Sequence, residues 1–293
     1  MKILSAFALF FSCMLPLFSQ VPILVTPKWL NEHKADANIR VLHVSFLKFD
    51  FDNEHIAGAA YLWPGWLAPD SQLGAMNLPD LKKAAEIIEG MGVSNTSHVV
   101  LYFVRNEVSA TARMFLTFEN LGMVGRVSML DGGIEVWKKE GLAVTKEIPV
   151  IKKGTFKAKD LGLLVDKNYV LTNLKSDKKT VVDARATKFY DGEPTGNPRD
   201  GHIAGAKNIP YMDLVEQTGL FKTVDQLQNY FTPVVRDKSK EVVTYCFIGQ
   251  TASVVYMTAR ILGYPAKLYD GSMQEWSRIP ELPMELTEKK KEN

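Results

Sequence analysis

The chain has 293 residues, of which 46% are hydrophobic and 23% charged. That is enough for about two domains of ordinary size, in the proportions of a soluble globular protein. The formal net charge is +2, which points to neither nucleic acid nor an acidic membrane surface as a partner.

Residues 1–20 form a separate object. Lys2 precedes an apolar run from Ile3 to Phe11, and Pro16 and Ser19 follow. This is the layout of a secretory signal peptide, and the run is short of the roughly 20 residues that span a bilayer. The expectation is export, to the periplasm or the medium, with no stable membrane insertion after cleavage. An uncleaved anchor is the alternative. Cleavage near Ser19 or Gln20 would remove Cys13, one of only two cysteines. Cys246 would then have no partner for an internal disulfide.

The rest of the chain repeats itself. Val41-Leu42-His43-Val44-Ser45 stands where Val181-Val182-Asp183-Ala184-Arg185 stands in the second half. His55-Ile56-Ala57-Gly58-Ala59 recurs as His202-Ile203-Ala204-Gly205-Ala206. Val99-Val100-Leu101-Tyr102 is echoed by Val242-Val243-Thr244-Tyr245, and the Asp131-Gly132-Gly133 motif that leads to Trp137 by the Asp270-Gly271-Ser272 motif that leads to Trp276. The order is kept, so two homologous α/β domains are expected, over residues 22–146 and 158–285. Residues 147–157 read as a linker and 286–293 as a charged, solvated tail. Trp137 and Trp276 read as core or interdomain packing.

Cys246 lies at a change of pattern. Val242-Val243-Thr244-Tyr245 is β-branched and aromatic, as a buried strand is. From about Thr251 the apolar residues Val254, Val255, Thr258, Ile261 and Leu262 recur at helical spacing, and Gly263-Tyr264-Pro265 ends the run. Residues 246–250 are therefore the strand-to-helix turn. In a parallel α/β sheet that turn lies at the carboxyl end of a strand, where ligands bind. A helix N-terminus carries unsatisfied N–H groups and partial positive charge, which favour a thiolate, and a short loop can gather N–H groups into an anion nest. Gly249 would allow the tight turn. A buried, inert cysteine is the competing reading of the local pattern.

Taken together, the duplicated HIAGA motif, VVDARATKFYDG, GHIAGAKNIP, VVTYCFIGQTAS and LYDGSMQEW resemble the tandem-domain rhodaneses, sulfurtransferases that carry sulfur as a cysteine persulfide. The likeness covers nearly the whole chain after residue 20. It implies two parallel sheets flanked by helices, and an active loop Cys246-Phe247-Ile248-Gly249-Gln250-Thr251. Cys246 would be the nucleophile, and the rest of the loop would meet the substrate. Asp183 and Arg185 would support the loop. The first half has Phe103 in place of Cys246, and His43 and Ser45 in place of Asp183 and Arg185, so its site would be silent. His43 reads as a core histidine, because no ligand set surrounds it in sequence. The resemblance implies a small-molecule sulfur donor, a thiophilic acceptor such as cyanide or a thiol, and no metal or organic cofactor. A monomer is expected.

The donor is less legible. Thiosulfate-preferring members of the family often carry Arg and Lys just after the cysteine, where this chain has Phe247 and Ile248. The mercaptopyruvate-preferring members use two arginines to grip a carboxylate. Arg199 matches one, and the other falls near Lys188 or Phe189, where a lysine lacks the planar fork. Those members also place an acid and a histidine in the first domain, where Trp63 and about Ala75 stand here. Thiosulfate is the first expectation, with 3-mercaptopyruvate, another persulfide or polysulfide donor, and a non-enzymatic persulfide carrier as alternatives. A phosphatase would need an arginine six residues after the cysteine, and Ala252 stands there. A thiol–disulfide oxidoreductase would need a Cys-x-x-Cys pair.

Overall fold

The computed structural model describes residues 21–70 and 76–287. The expected signal segment, the position near Ala75 and most of the charged tail lie outside the described residues. Among the described residues, no helix is long and apolar enough to cross a membrane.

Each half of the chain builds one five-stranded parallel sheet. The first contains β1 (Leu24–Val25), β2 (Ile39–Val44), β3 (Ala60–Leu62), β4 (His98–Phe103) and β5 (Val127–Leu130), in the order β1-β5-β4-β2-β3. Around it run α1 (Pro27–His33), α2 (Lys48–Asn53), α3 (Pro64–Leu67), α4 (Leu81–Gly90), α5 (Val108–Phe118) and α6 (Gly133–Lys139).

The second half contains β6 (Leu164–Val165), β7 (Lys179–Asp183), β8 (His202–Ile203), β9 (Lys207–Asn208), β10 (Glu241–Tyr245), β11 (Ala266–Tyr269) and β12 (Met284–Glu285). Its sheet order is β6-β11-β10-β7-β9, the same path as the first, and β12 pairs with β8 in a separate antiparallel ribbon. Its helices are α7 (Lys167–Asn173), α8 (Thr187–Asp191), α9 (Val224–Phe231), α10 (Ala252–Ile261) and α11 (Ser272–Trp276). The fold is therefore a duplicated α/β unit, as the repeated motifs predict.

The repeats have a physical reason. His55 stacks on Phe51 at 4.0 Å and bonds its carbonyl, and His202 stacks on Tyr190 at 3.7 Å and bonds its carbonyl. Tyr102 Oη receives the N–H of Ile56, and Tyr245 Oη that of Ile203. The two HIAGA turns are thus tied to the central strand of their own sheet. Trp137 and Trp276 are fully buried, each in the outer core of its own domain, and each donates its indole N–H to a carbonyl, Ala143 and Pro283 respectively.

The inner faces of the two sheets share one core. It joins Leu101, Phe115 and Leu116 of the first half to Val242, Val255 and Tyr256 of the second. Burial of apolar area on that scale is the main favourable term holding such halves together. Polar contacts fix their register: Tyr256 Oη donates to Glu119 at 2.6 Å, and the Asn120 side chain accepts from Leu163 N at 2.7 Å. Residues 147–157 are not a loose tether. Gly154 N–H bonds Glu89 O, Phe156 N–H bonds the Glu89 carboxylate, and the Phe156 ring is buried.

Two histidines of the first sheet are buried and neutral. Burial drives His43 from 6.5 to about 4, with His55 adding to the shift, and burial with the charge of Arg126 does the same to His98. Between those values the unfolded chain holds the extra protons. Stability is therefore intact above pH 6.5 and is lost as pH falls toward 4. His98 bonds Ser128 Oγ at 2.9 Å. His98→Gln, which can keep that bond, should flatten part of the acid loss. The check is the difference in urea midpoint between about pH 7.5 and about pH 4.5; a difference equal to that of the parent would remove His98 as a cause.

Candidate active site

In the second sheet β7 and β10 are neighbours, with Tyr245 in register with Asp183. From this pair the chain winds outward in opposite directions, which makes it the switch point where open α/β sheets leave a crevice. Cys246 follows β10 directly, and α10 begins at Ala252. The expected strand, turn and helix are all present.

Cys246 is 1% exposed. Its Sγ accepts the N–H of Gly249 at 3.2 Å, and its own N–H donates to Ser272 Oγ at 3.2 Å. The loop carbonyls are committed elsewhere. Cys246 O accepts from Met273 N at 3.0 Å and Phe247 O from Gln274 N at 2.9 Å, both at the start of α11. Gly249 O accepts from Ser253 Oγ at 3.0 Å, Gln250 O from Ser253 N and Thr251 O from Val254 N, both at 3.1 Å.

A trans peptide points its N–H opposite to its C=O. Tying these carbonyls outward therefore turns the N–H groups of Phe247, Ile248, Gln250 and Thr251 the other way. Those four find no acceptor among the described residues. The result is a row of free donors at the N-terminus of a helix, beside a sulfur. Such a concavity suits an anion.

Gly249 is needed for this shape. It sits at φ +84°, and a Cβ there would lie 2.9 Å from Arg113 Nη1 and 3.2 Å from Asp270 O. A side chain would be both strained and crowded.

Residues 26–140 and 166–279 each match the family model described as a rhodanese-like domain. The chain belongs to the rhodanese family. It is 32% identical over 282 residues to the sulfur carrier protein TtuD of Thermus thermophilus, across 91% of this chain and 98% of that protein. It is 33% identical over 269 residues to the thiosulfate sulfurtransferase of Gallus gallus, across 86% of this chain and 92% of that enzyme. Among solved structures it is similar to the 3-mercaptopyruvate sulfotransferase SseA of Escherichia coli, with a TM-score of 0.75 and 28% identity over 86% of this chain and 99% of that one.

The first rhodanese domain has no comparable thiol. Phe103 follows the same strand path at the end of β4 and is buried. Its ring packs on Gly219 of the second domain, where a Cβ would lie 2.6 Å from the ring. The neighbouring Phe221 N–H bonds Asp131 Oδ1 at 2.9 Å. The position is filled and roofed. His43 is a core residue, bonded to Tyr102 Oη at 2.9 Å. Among the described residues no three His, Cys, Asp or Glu side chains gather as metal ligands.

The expected supporting pair lies beside the rhodanese loop. Asp183 and Arg185 are both buried and joined through both carboxylate oxygens, with Arg185 Nη2 to Asp183 Oδ2 at 2.6 Å. Burial works against the Arg185 charge, but the hydrogen bonds and charge of Asp183 outweigh it and hold its pKa above the usual arginine value. Arg185 Nη2 also bonds Gly201 O, and its guanidinium lies over the Phe247 ring at 5.1 Å. Its Nη1 is buried without a partner among the described residues.

Arg199 corrects an expectation. Its five N–H groups go to the carbonyls of Trp276, Ser277, Ile279, Pro280 and Leu282, at 2.6 to 3.4 Å. A guanidinium has five donors and no more, so Arg199 clamps the chain after α11 and has none left for a carboxylate substrate. Lys188 is exposed and lies 3.6 Å from Glu193, and its charge rests over Phe189 at 4.8 Å. Phe189 in turn meets Phe247 edge-on at 5.4 Å. Phe247 and Ile248 are part-exposed and make the rim apolar.

Ser272 and Arg113 were not singled out from sequence. Ser272 follows the repeated Asp-Gly pair where the first half has Gly133, and that difference was the available signal. Arg113 is the one charged residue of the apolar helix α5, and it belongs to the other domain.

Arg199→Gln should lower stability by at least about 2 kcal/mol, through carbonyls left unpaired. The rate per titrated Cys246 thiol should stay unchanged. Thermal melts and active-site-normalised turnover check both. A raised donor KM at unchanged stability would restore the substrate role to Arg199.

Proposed function

We propose that the protein is a sulfurtransferase that accepts a sulfane sulfur on Cys246, with thiosulfate or a related inorganic donor as substrate. The Cys246 loop carries this reading: Gly249 N–H meets Sγ, and four further loop N–H groups have no acceptor among the described residues, which offers a site for the negative charge of a persulfide. The mechanism is a double displacement. The Cys246 thiolate attacks the outer sulfur of thiosulfate, the bond between the two thiosulfate sulfurs breaks, and sulfite leaves with the electron pair. The Cys246 persulfide carries one negative charge. A thiophile such as cyanide then attacks the outer sulfur, and the electron pair of the sulfur–sulfur bond returns to Cys246 as thiocyanate leaves.

The N–H donors act as an oxyanion hole does, stabilising charge on sulfur with dipoles already in place. Arg185, paired with Asp183 and lying over the Phe247 ring, keeps a buried guanidinium beside the loop, and its Nη1 has no partner among the described residues; this supports an anionic donor. Mercaptopyruvate is less well served, because Arg199 is spent on carbonyls and Lys188 is paired at the surface. A second reading, a persulfide carrier serving a dedicated partner, is favoured by the similarity to a sulfur carrier protein and by the apolar rim of Phe247 and Ile248. We also propose that the chain is exported through its first 20 residues; N-terminal sequencing of protein from a cell fractionation would settle that.

Intact mass after incubation with thiosulfate tests the chemistry. The parent should gain about 32 Da, one sulfur held covalently, and cyanide should remove it with release of thiocyanate. Cys246→Ser should gain nothing. An adduct that forms but turns over slowly with every small thiophile would favour the carrier. No adduct with thiosulfate would overturn the choice of donor.

A further inference from the structure

The first rhodanese domain has no thiol of its own, yet one of its helices reaches the loop of the second. Ser109 and Arg113 lie one turn apart on α5, on the same face. Ser109 Oγ accepts from the Gln250 side chain at 3.0 Å. Arg113 Nη1 pairs with Asp270 Oδ1 at 2.6 Å and lies 3.5 Å from Gly249 O, and its Nη2 donates to Met76 O. The guanidinium is fully buried, and its Nε has no partner among the described residues.

Burying a cation costs several kcal/mol before its partner repays any of it. Apolar packing would join the domains without that cost. What Arg113 adds is direction: a fixed charge behind the peptide that joins Gly249 to Gln250. That peptide is held with its carbonyl toward Arg113, so the Gln250 N–H faces away from the first domain. The same arginine stops a side chain from being placed at Gly249, whose N–H is the one that reaches Cys246 Sγ.

We infer that Arg113 of the first domain is a positioning residue for sulfur transfer, holding the Gly249–Gln250 peptide so that its N–H side serves the persulfide on Cys246. This rests on the sulfurtransferase reading above. It gives the thiol-free domain a function in the chemistry: it is the back wall of the loop. The Asp270 carboxylate, from the repeated Asp-Gly motif, keeps the arginine in place and compensates its charge.

The test uses the full chain loaded from sodium polysulfide, a donor that does not depend on the choice of thiosulfate. Parent, Arg113→Met, Arg113→Lys and Arg113→Met/Asp270→Asn are desalted and mixed with a fixed excess of sulfite, which takes the outer sulfur as thiosulfate and returns the electron pair to Cys246; loss of the added sulfur is followed by intact mass, with a thermal melt of each. The double variant leaves no unpaired, part-buried carboxylate, so it keeps the test open if Arg113→Met does not fold. Folded Arg113→Met and the double variant should shed sulfur faster, on the order of tenfold to a hundredfold, with Arg113→Lys in between. In turnover the loss should fall on kcat more than on donor KM. Equal persulfide lifetimes in all folded variants would overturn the inference alone, as would losses that only track the folded fraction. A parent that takes up no sulfur from polysulfide would overturn the sulfurtransferase reading and this inference with it.

Discussion

The site depends on where the loop carbonyls go. A peptide cannot turn its N–H inward while its C=O is free to do the same, so each outward carbonyl bond fixes one inward donor. In residues 246–251 the bonds come from α11, from Ser253 in α10, and from the neighbourhood of Arg113 in α5. The cradle is therefore not a property of the loop sequence alone. It exists because three helices, one of them from the other domain, hold the same short stretch from behind. Preorganised dipoles of this kind do not have to rotate into place when charge appears, which is why they outperform water.

This arrangement explains why the motifs lie so far apart in the chain. The Asp-Gly motif before α11 sits next to the loop because β11 is the neighbour of β10, so their carboxyl ends are adjacent. Ser272 can then receive the Cys246 N–H, and Met273 and Gln274 can meet the next two carbonyls. Asp183 and Arg185 arrive by the other neighbour, β7. The parallel sheet thus delivers two supporting groups, one to each side of the strand that leads to Cys246, and the HIAGA turn is pinned behind them through Tyr245 Oη.

Much of this was legible in the residues. Period and composition gave the strand before Cys246 and the helix after it. The paired motifs gave two sheets of one topology, and the asymmetry of Cys246 and Phe103 marked the half without a thiol. What was not legible depended on partners far away in sequence. Arg199 read as a substrate arginine because it matches one of the two that grip a carboxylate in the mercaptopyruvate-preferring members. Only the fold reveals that five carbonyls of residues 276–282 converge on its guanidinium. Arg113 carries no motif: within α5 it is one charge on an apolar helix, and its partner Asp270 is in the other domain. Residues 147–157 read as a linker from composition, whereas the buried Phe156 and the Glu89 contacts strap them to the first domain.

The two halves also show how far a duplicated unit can diverge at one position. The first keeps the sheet, the HIAGA turn and the Asp-Gly motif, all of which serve packing. It has Phe103 in place of Cys246, and a second-domain turn at Gly219 closes over the ring, with the part-buried Asp131 accepting the Phe221 N–H. The exchange runs both ways. The Asp-Gly aspartate of each domain is bound by a group from the other, Asp131 by a backbone N–H and Asp270 by a guanidinium. The same motif position has thus become a seal over Phe103 and an anchor for the brace behind the Cys246 loop. That reciprocity gives a physical reason to keep the thiol-free domain: removing it would expose the shared core and also leave the loop at Gly249 and Gln250 without its back wall.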